Sequence, residues 1–183
     1  MMLTNHSNGY GWVTIALHWL SALTVFGLFG LGLYMVDLGY YHPWYRQAPH
    51  LHKSLGLLLL ATTLLRLVWR FSNPVPRAPD GQGPLTRLAA KAGHGAIYLL
   101  LIALLASGYL ISTADGRAID VFDWFSVPAL ITGLPQQEEI AGTIHEYAAW
   151  SLMILACGHA LAALKHQFID RDNTLGRMIA PSN

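Results

Sequence analysis

Residues 144–166 read IHEYAAWSLMILACGHALAALKH, and this stretch decides the fold. From Tyr147 to Leu164 it has eighteen residues without a charge, enough to cross most of a hydrocarbon core. His145 and His159 bracket the run, fourteen positions apart. At about 100° per residue, fourteen steps return to within about 40° of the start, so both imidazoles leave one helix face. The rise between them is roughly 21 Å, most of the way across the bilayer. A histidine inside lipid is costly and needs a partner such as a side chain, a carbonyl or a metal. Two on one face, at two depths, point to one cofactor near each membrane surface.

Composition agrees. Of 183 residues, 54% are hydrophobic and 11% charged, with a mean hydropathy of +0.39. Soluble domains carry about 25% charged residues, so this is a membrane protein. The net charge of +1 gives no footprint for nucleic acid. The single cysteine, Cys157, excludes a disulfide framework and is expected to be a core thiol. The first apolar run is too long for a signal-peptide core, so the first helix is expected to be retained. There is no internal repeat.

The expected architecture is all-α: one transmembrane domain over 1–183, a membrane-spanning four-helix bundle with both termini cytoplasmic. The spans are expected at about 12–36, 49–70, 88–114 and 140–168, the third with an amphipathic lead-in from Leu85. Glycines 27, 30, 32, 56, 95, 108 and 158 would let helices or a flat ligand approach closely. The turn from Asn73 to Pro84 is flanked by Arg70, Arg77, Arg87 and Lys91, and the tail adds Lys165, Arg171 and Arg177. The connection from Thr113 to Thr143 instead sets five acids against Arg117, net −4. Basic loops stay in the cytoplasm, which orients the chain. Within the acidic connection, Ile119, Phe122 and Phe125 recur every third residue beside Trp124. That spacing predicts either a short interfacial helix or an ordinary aromatic belt.

Orientation sets depth. His18 on span one and His159 on span four fall near the inner surface, His52 on span two and His145 on span four near the outer. The pairs are then His18 with His159 and His52 with His145, each across a bundle interior. Two separated pairs cannot form a tetrahedral zinc site, but an imidazole pair can fill both axial positions of a haem iron. Arg66, fourteen residues after His52, falls at the inner depth, where it could neutralise a propionate or snorkel to the interface. His94 starts span three without a depth-matched partner and is expected to pack through hydrogen bonds. His6, His42 and His50 lie in connections or the tail and are expected to be solvated.

These residues resemble the bacterial cytochrome b561 family. The matching pieces are LHWLSALTVFGLFGLGLYM (17–35), LHKSLG (51–56), GHGAIYLLL (93–101), the stretch 144–166 and DNTLGRM (172–178), nearly the whole chain. The resemblance implies a multi-pass protein of the bacterial inner membrane with two b haems on His18, His52, His145 and His159, in the pairing above. The family includes superoxide oxidase, which passes electrons from periplasmic superoxide to ubiquinone. It is also similar to membrane cytochrome subunits of hydrogenases and formate dehydrogenases. In the superoxide oxidase branch a histidine at the inner end of span four is implicated in quinone binding, and that position matches His166. There an imidazole could hydrogen-bond a quinone carbonyl and pass a proton, or simply snorkel.

With both axial positions filled, the haems are expected to carry single electrons. The expected route enters near His52/His145 and leaves through His18/His159 to ubiquinone near His166. An acidic outer face opposes superoxide, an anion, unless Arg46, Lys53 and nearby histidines make a local positive funnel. Three classes stand: an oxidoreductase acting on superoxide or another small donor, a cytochrome serving a separate periplasmic or membrane redox protein, and a haem-free helical bundle.

Overall fold

The computed structural model describes residues 2–79 and 81–181. Its long elements are α1 (Trp12–Val36), α2 (Gln47–Ser72), α3 (Pro84–Ser112) and α4 (Gln137–Lys165). Each is long and apolar enough to cross a membrane, and the all-α class is seen. Side chains such as Leu23, Leu99, Ile154 and Leu161 are about two-thirds exposed, the pattern of helices solvated by lipid rather than water. Cys157 is exposed among them, so it is a surface thiol rather than the expected core one. α3 starts at Pro84, a residue suited to a first helical turn, and the lead-in from Leu85 is part of one continuous helix.

The chain divides into two compact units. The first comprises Met1–Ser21, Thr62–Leu99 and Leu152–Asn183; the second comprises Ala22–Ala61 and Leu100–Ser151. By sequence the first holds eight Lys and Arg against three acids, net +5, and the second three against seven, net −4.

In the first unit the N-terminal segment is tied down before α1 begins. The Asn5 carboxamide accepts from the Gly11 amide (3.0 Å) and the Thr14 hydroxyl (2.6 Å), while its amide donates to the Pro74 carbonyl (3.2 Å). Gly11 is required here, because a Cβ would enter the Leu3 and Thr4 carbonyls. Arg177 donates to the carbonyls of Arg77 (2.9 Å) and Asn8 (3.2 Å from Nε), lacing the tail to the 73–84 turn and the N-terminus.

In the second unit the acidic connection is a β-hairpin, β1 (Ile119–Val121) and β2 (Phe125–Val127), not the short helix offered by the threefold spacing. Phe122 and Asp123 both adopt positive φ (49° and 59°) at its turn, the backbone of a tight hairpin. Period-two burial then puts Ile119 and Val121 inward, at 3% and 0% exposure. The Ser54 hydroxyl on α2 donates to the Asp120 carbonyl (3.3 Å) and accepts from the Phe122 amide (3.1 Å), fastening the hairpin to the helix.

The start of α4 is fixed by buried Gln137. Its carboxamide accepts from the Leu134 amide (3.2 Å) and donates to the carbonyls of Leu110 and Ile131 (both 3.0 Å). Glu138 and Glu139 follow in the first turn, where negative charge meets the helix dipole. Replacing Gln137 with Leu strands these backbone groups and is expected to cost about 2–3 kcal/mol. A fall in the melting temperature of the detergent-solubilised protein would report it; an unchanged melting temperature would contradict this account of the cap.

Candidate haem-binding sites

Each unit brings together one of the histidine pairs read from the sequence. In the second unit, His52 on α2 and His145 on α4 lie with ring centroids 6.2 Å apart and planes at 66°. In the first, His18 on α1 and His159 on α4 lie 6.3 Å apart, also at 66°. Two metal–imidazole bonds of about 2.0 Å, plus the step from nitrogen to ring centre on each side, put a trans-coordinated pair roughly 6 Å apart. Both pairs therefore fit an iron held from opposite faces. Among the described residues no group of three or more His, Cys, Asp or Glu converges as a metal site.

The surroundings of the second-unit pair fit a flat ligand. His145 Nδ1 lies 2.9 Å from the Leu104 carbonyl and 3.3 Å from the Ser107 hydroxyl, both on α3. The carbonyl accepts the Nδ1–H, which leaves Nε2 unprotonated and free to ligate. His52 Nδ1 is buried without a hydrogen-bond partner. A Cβ on Gly108 would stand 3.0 Å from the His145 ring, and one on Gly32 would stand 3.4 Å from the His52 ring. Of the seven glycines singled out for close approach, these two meet a neighbouring side chain; the others face open space. A cavity of about 370 Å³ adjoins the pair, lined by His52, His145, Gly56, Leu105 and Gly108, with Lys53.

The first-unit pair is more crowded and more basic. An Arg66 guanidinium nitrogen lies 3.5 Å from His18 Nδ1, and its carbon sits 5.6 Å above the Tyr98 ring. Arg70 lies over the same ring at 5.8 Å. Arg66 thus turns inward against a cation–π partner instead of snorkelling outward. His94 is the residue that depth counting missed: its ring centroid is 5.1 Å from that of His159. That is closer than imidazoles on opposite faces of one iron stand, so spacing favours His18 over His94 as the partner of His159. One turn of further counting along α3 would have placed His94 at this depth.

His166 opens a π-helical turn, His166–Asp170, that ends α4. Its Nδ1 lies 2.9 Å from Asp170 and 3.0 Å from Asp172, off the line of a ring N–H bond, so the contacts are electrostatic. The tail beyond it returns to the His18 site: the Trp19 indole donates to the Met178 carbonyl (2.6 Å), and the Trp19 and His18 rings are 5.3 Å apart. Of the remaining histidines, His42 is exposed as expected, while His6 and His50 are partly buried. His42 Nδ1 accepts from the Trp44 amide (3.1 Å), His50 lies 3.7 Å from Asp123, and His6 Nε2 meets Met2 Sδ at 3.1 Å.

Gly108→Val should push the His145 ring off the Leu104 carbonyl. Haem per chain, measured as pyridine haemochrome on purified protein, is expected to fall below the parent value. Full occupancy in the variant would show that Gly108 does not shape the site.

Comparison with known proteins gives the same answer from outside the chain. Residues 9–181 match the family described as prokaryotic cytochrome b561. Cytochrome b561 homolog 2 of Escherichia coli K12 is 51% identical over 183 residues, covering 100% of this chain and 97% of the relative. The probable superoxide oxidase CybB of Yersinia pestis is 29% identical over 180 residues, covering 93% and 95%. Cytochrome b562 of Cereibacter sphaeroides is 33% identical over 132 residues, covering 72% and 68%. With four spanning helices and histidine pairs spaced for an iron, the chain belongs to the prokaryotic cytochrome b561 family, bacterial membrane cytochromes of the b type.

Proposed function

We infer that this chain, as one functional domain, binds two b haems and moves electrons across the bacterial inner membrane to ubiquinone. The observation that carries the reading is the ring separation, 6.2 Å for His52/His145 and 6.3 Å for His18/His159. Haem b would supply reversible one-electron chemistry, held by His52 and His145 in one site and by His18 and His159 in the other. The histidines fix the plane and position of the group, and the Leu104 carbonyl strengthens His145 as a ligand by holding its Nδ1–H. Arg66 places a cation beside His18, suited to a propionate or to stabilising added negative charge.

The charge of each unit supports an orientation. The basic residues flanking the 73–84 turn and in the tail favour a cytoplasmic side for those segments, and the acidic 113–143 connection a periplasmic one. Both chain termini then face the cytoplasm. Electrons enter at His52/His145 from a periplasmic donor and leave at His18/His159. The quinone site lies at His166, whose tail segment touches Trp19 beside His18.

Superoxide is the donor suggested by the superoxide oxidase relative. The acidic hairpin connection argues for a second reading, in which a separate, basic redox protein docks there. Arg117, the connection's one basic residue, is spent on Asp115 at 2.5 Å, so it offers superoxide no free cation. Its guanidinium in turn holds the Asp115 carboxyl below the usual range. Asp120, Asp123, Glu138 and Glu139 stay unbalanced there, apart from the partial His50 contact of Asp123. Lys53, beside the cavity of His52, is the cation placed to attract an anion.

Two measurements test these readings. The parent should carry about two haems per chain, and His145→Ala and His18→Ala about one each, with distinct reduced-minus-oxidised spectra. One haem in the parent would remove the two-site reading. Stopped-flow reduction by superoxide across an ionic-strength series then separates the donors. A rate that rises with salt means net repulsion and favours a protein donor; a rate that falls with salt means the Lys53 side steers the anion in.

A further inference from the structure

Reducing a quinone to its quinol takes two electrons and two protons, and a haem iron with both axial positions filled supplies electrons alone. The protons must come from side chains in contact with water. In the first unit, one cluster combines a titratable ring with fixed negative charge. His166 lies with Nδ1 between Asp170 (2.9 Å) and Asp172 (3.0 Å), its side chain 19% exposed. The geometry comes from the π-helical turn and its exit: Arg171 is left-handed at φ 56°, and the Arg171 and Asp172 amides both donate to the His166 carbonyl. This folds the chain back so that both carboxylates reach the ring they follow.

The two carboxylates are not equivalent. Asp170 is bound by Lys165 at 2.6 and 2.8 Å and is one-third exposed, so its charge is largely matched at the rim. Asp172 is 7% exposed and, among the described residues, pairs with no Lys or Arg. Its oxygens instead accept from Gln82 Nε2 (2.7 Å), the Thr174 hydroxyl (2.6 Å) and the Thr174 amide (3.0 Å). Burial pushes the Asp172 carboxyl up, yet the Thr174 and Gln82 hydrogen bonds and the nearby His166 outweigh it and hold it below the usual carboxylate range. Gln82 itself sits in the 73–84 turn, where its carbonyl accepts from Arg87 (2.9 Å). Three donor atoms and a folded-back chain are a large investment for a tail residue, and they keep one negative charge beside one imidazole.

We propose that His166 and Asp172 form the proton-entry pair of the quinone site, with His166 carrying each proton and Asp172 as the countercharge that positions it. This rests on the inference that quinone binds at His166. In each cycle a one-electron donor of the b-haem class adds an electron to the quinone, and His166 gives a proton to a quinone oxygen. An O–H bond forms as the imidazolium N–H breaks, and the neutral ring takes a proton from water at the rim. Two such cycles complete the quinol. Asp172 stays ionised throughout, as a fixed anion beside a transient imidazolium does. Asp170, paired with Lys165, shapes the rim through which water reaches the ring.

The test uses the haem-loaded protein, reduced anaerobically and mixed with a short-chain ubiquinone. His166→Ala, Asp172→Asn and Asp172→Glu are compared with the parent for reoxidation rate, solvent isotope effect, haem spectrum and quenching of tryptophan fluorescence by quinone. Asp172→Asn should slow saturated reoxidation about tenfold or more and raise the isotope effect, with half-saturation and spectrum within about twofold of the parent. Asp172→Glu should recover most of the rate, and added imidazole should rescue His166→Ala. If Asp172→Asn reoxidises as fast as the parent while His166→Ala is slow, the pair is wrong and the quinone site stands. If His166→Ala is as fast as the parent, the quinone site itself is wrong. Should Asp172→Asn load haem poorly, imidazole rescue of His166→Ala decides alone: rescue supports a proton carrier, and no rescue overturns it.

Discussion

The structure depends on imidazoles held a fixed distance apart by helices that cannot hydrogen-bond to solvent. In lipid a backbone satisfies itself, so the helices are rigid rods, and a side chain projecting between them is placed by the rod. The separations of 6.2 and 6.3 Å are therefore properties of helix packing, with little contribution from flexible side chains. At the His145 site the device is visible atom by atom. A carbonyl of α3 takes the Nδ1 proton, and Gly108 on the same helix leaves space for the ring. A larger residue at 108 would conflict with the ring that the Leu104 carbonyl orients.

Much of this was legible in the chain because membrane helices obey few rules. A run of apolar residues fixes a span, a fourteen-residue spacing fixes a face, and the Lys and Arg distribution assigns depth. Those three together matched His18 with His159 and His52 with His145. What they could not give came from backbone conformations and from irregular segments. The spacing of Ile119, Phe122 and Phe125 suits a helix, but the left-handed φ of Phe122 and Asp123 makes a hairpin whose burial alternates instead. His94 was read as lacking a partner at its depth, and the structure supplies one in His159, 5.1 Å away between ring centroids. The meeting of Asp172 with His166 was hidden for a different reason: a π-helical turn changes the angular step, so a face counted at 100° per residue is lost there.

The two sites differ in ways that their shared geometry conceals. His52/His145 adjoins a cavity whose wall includes Asp115 and Glu138 as well as Lys53 and Arg117, a mixed and partly self-neutralised lining. His18/His159 has Arg66 at 3.5 Å from a ring nitrogen and Arg70 over Tyr98, with the described acids of that unit gathered at Asp170 and Asp172. Tyr98 matters here because its ring face holds the Arg66 guanidinium in an apolar setting where it would otherwise turn to the interface, while Arg70 lies over the same ring from an exposed position.

That asymmetry bears on direction. A cation near a redox centre stabilises the state with one electron more, and an anion destabilises it, most strongly where the dielectric is low. Arg66 and Arg70 act on the His18/His159 site in a unit of net +5, and the other site belongs to a unit of net −4. Electrostatics alone then makes the His18/His159 site the better resting place for an electron, which supports flow from the acidic unit toward the basic one. On the proposed route the same positive charge favours an electron in the unit that contains His166, where a proton taken up by the acceptor would cancel the added charge. The lysines and arginines gathered in one unit thus also bias where an added electron is best stabilised.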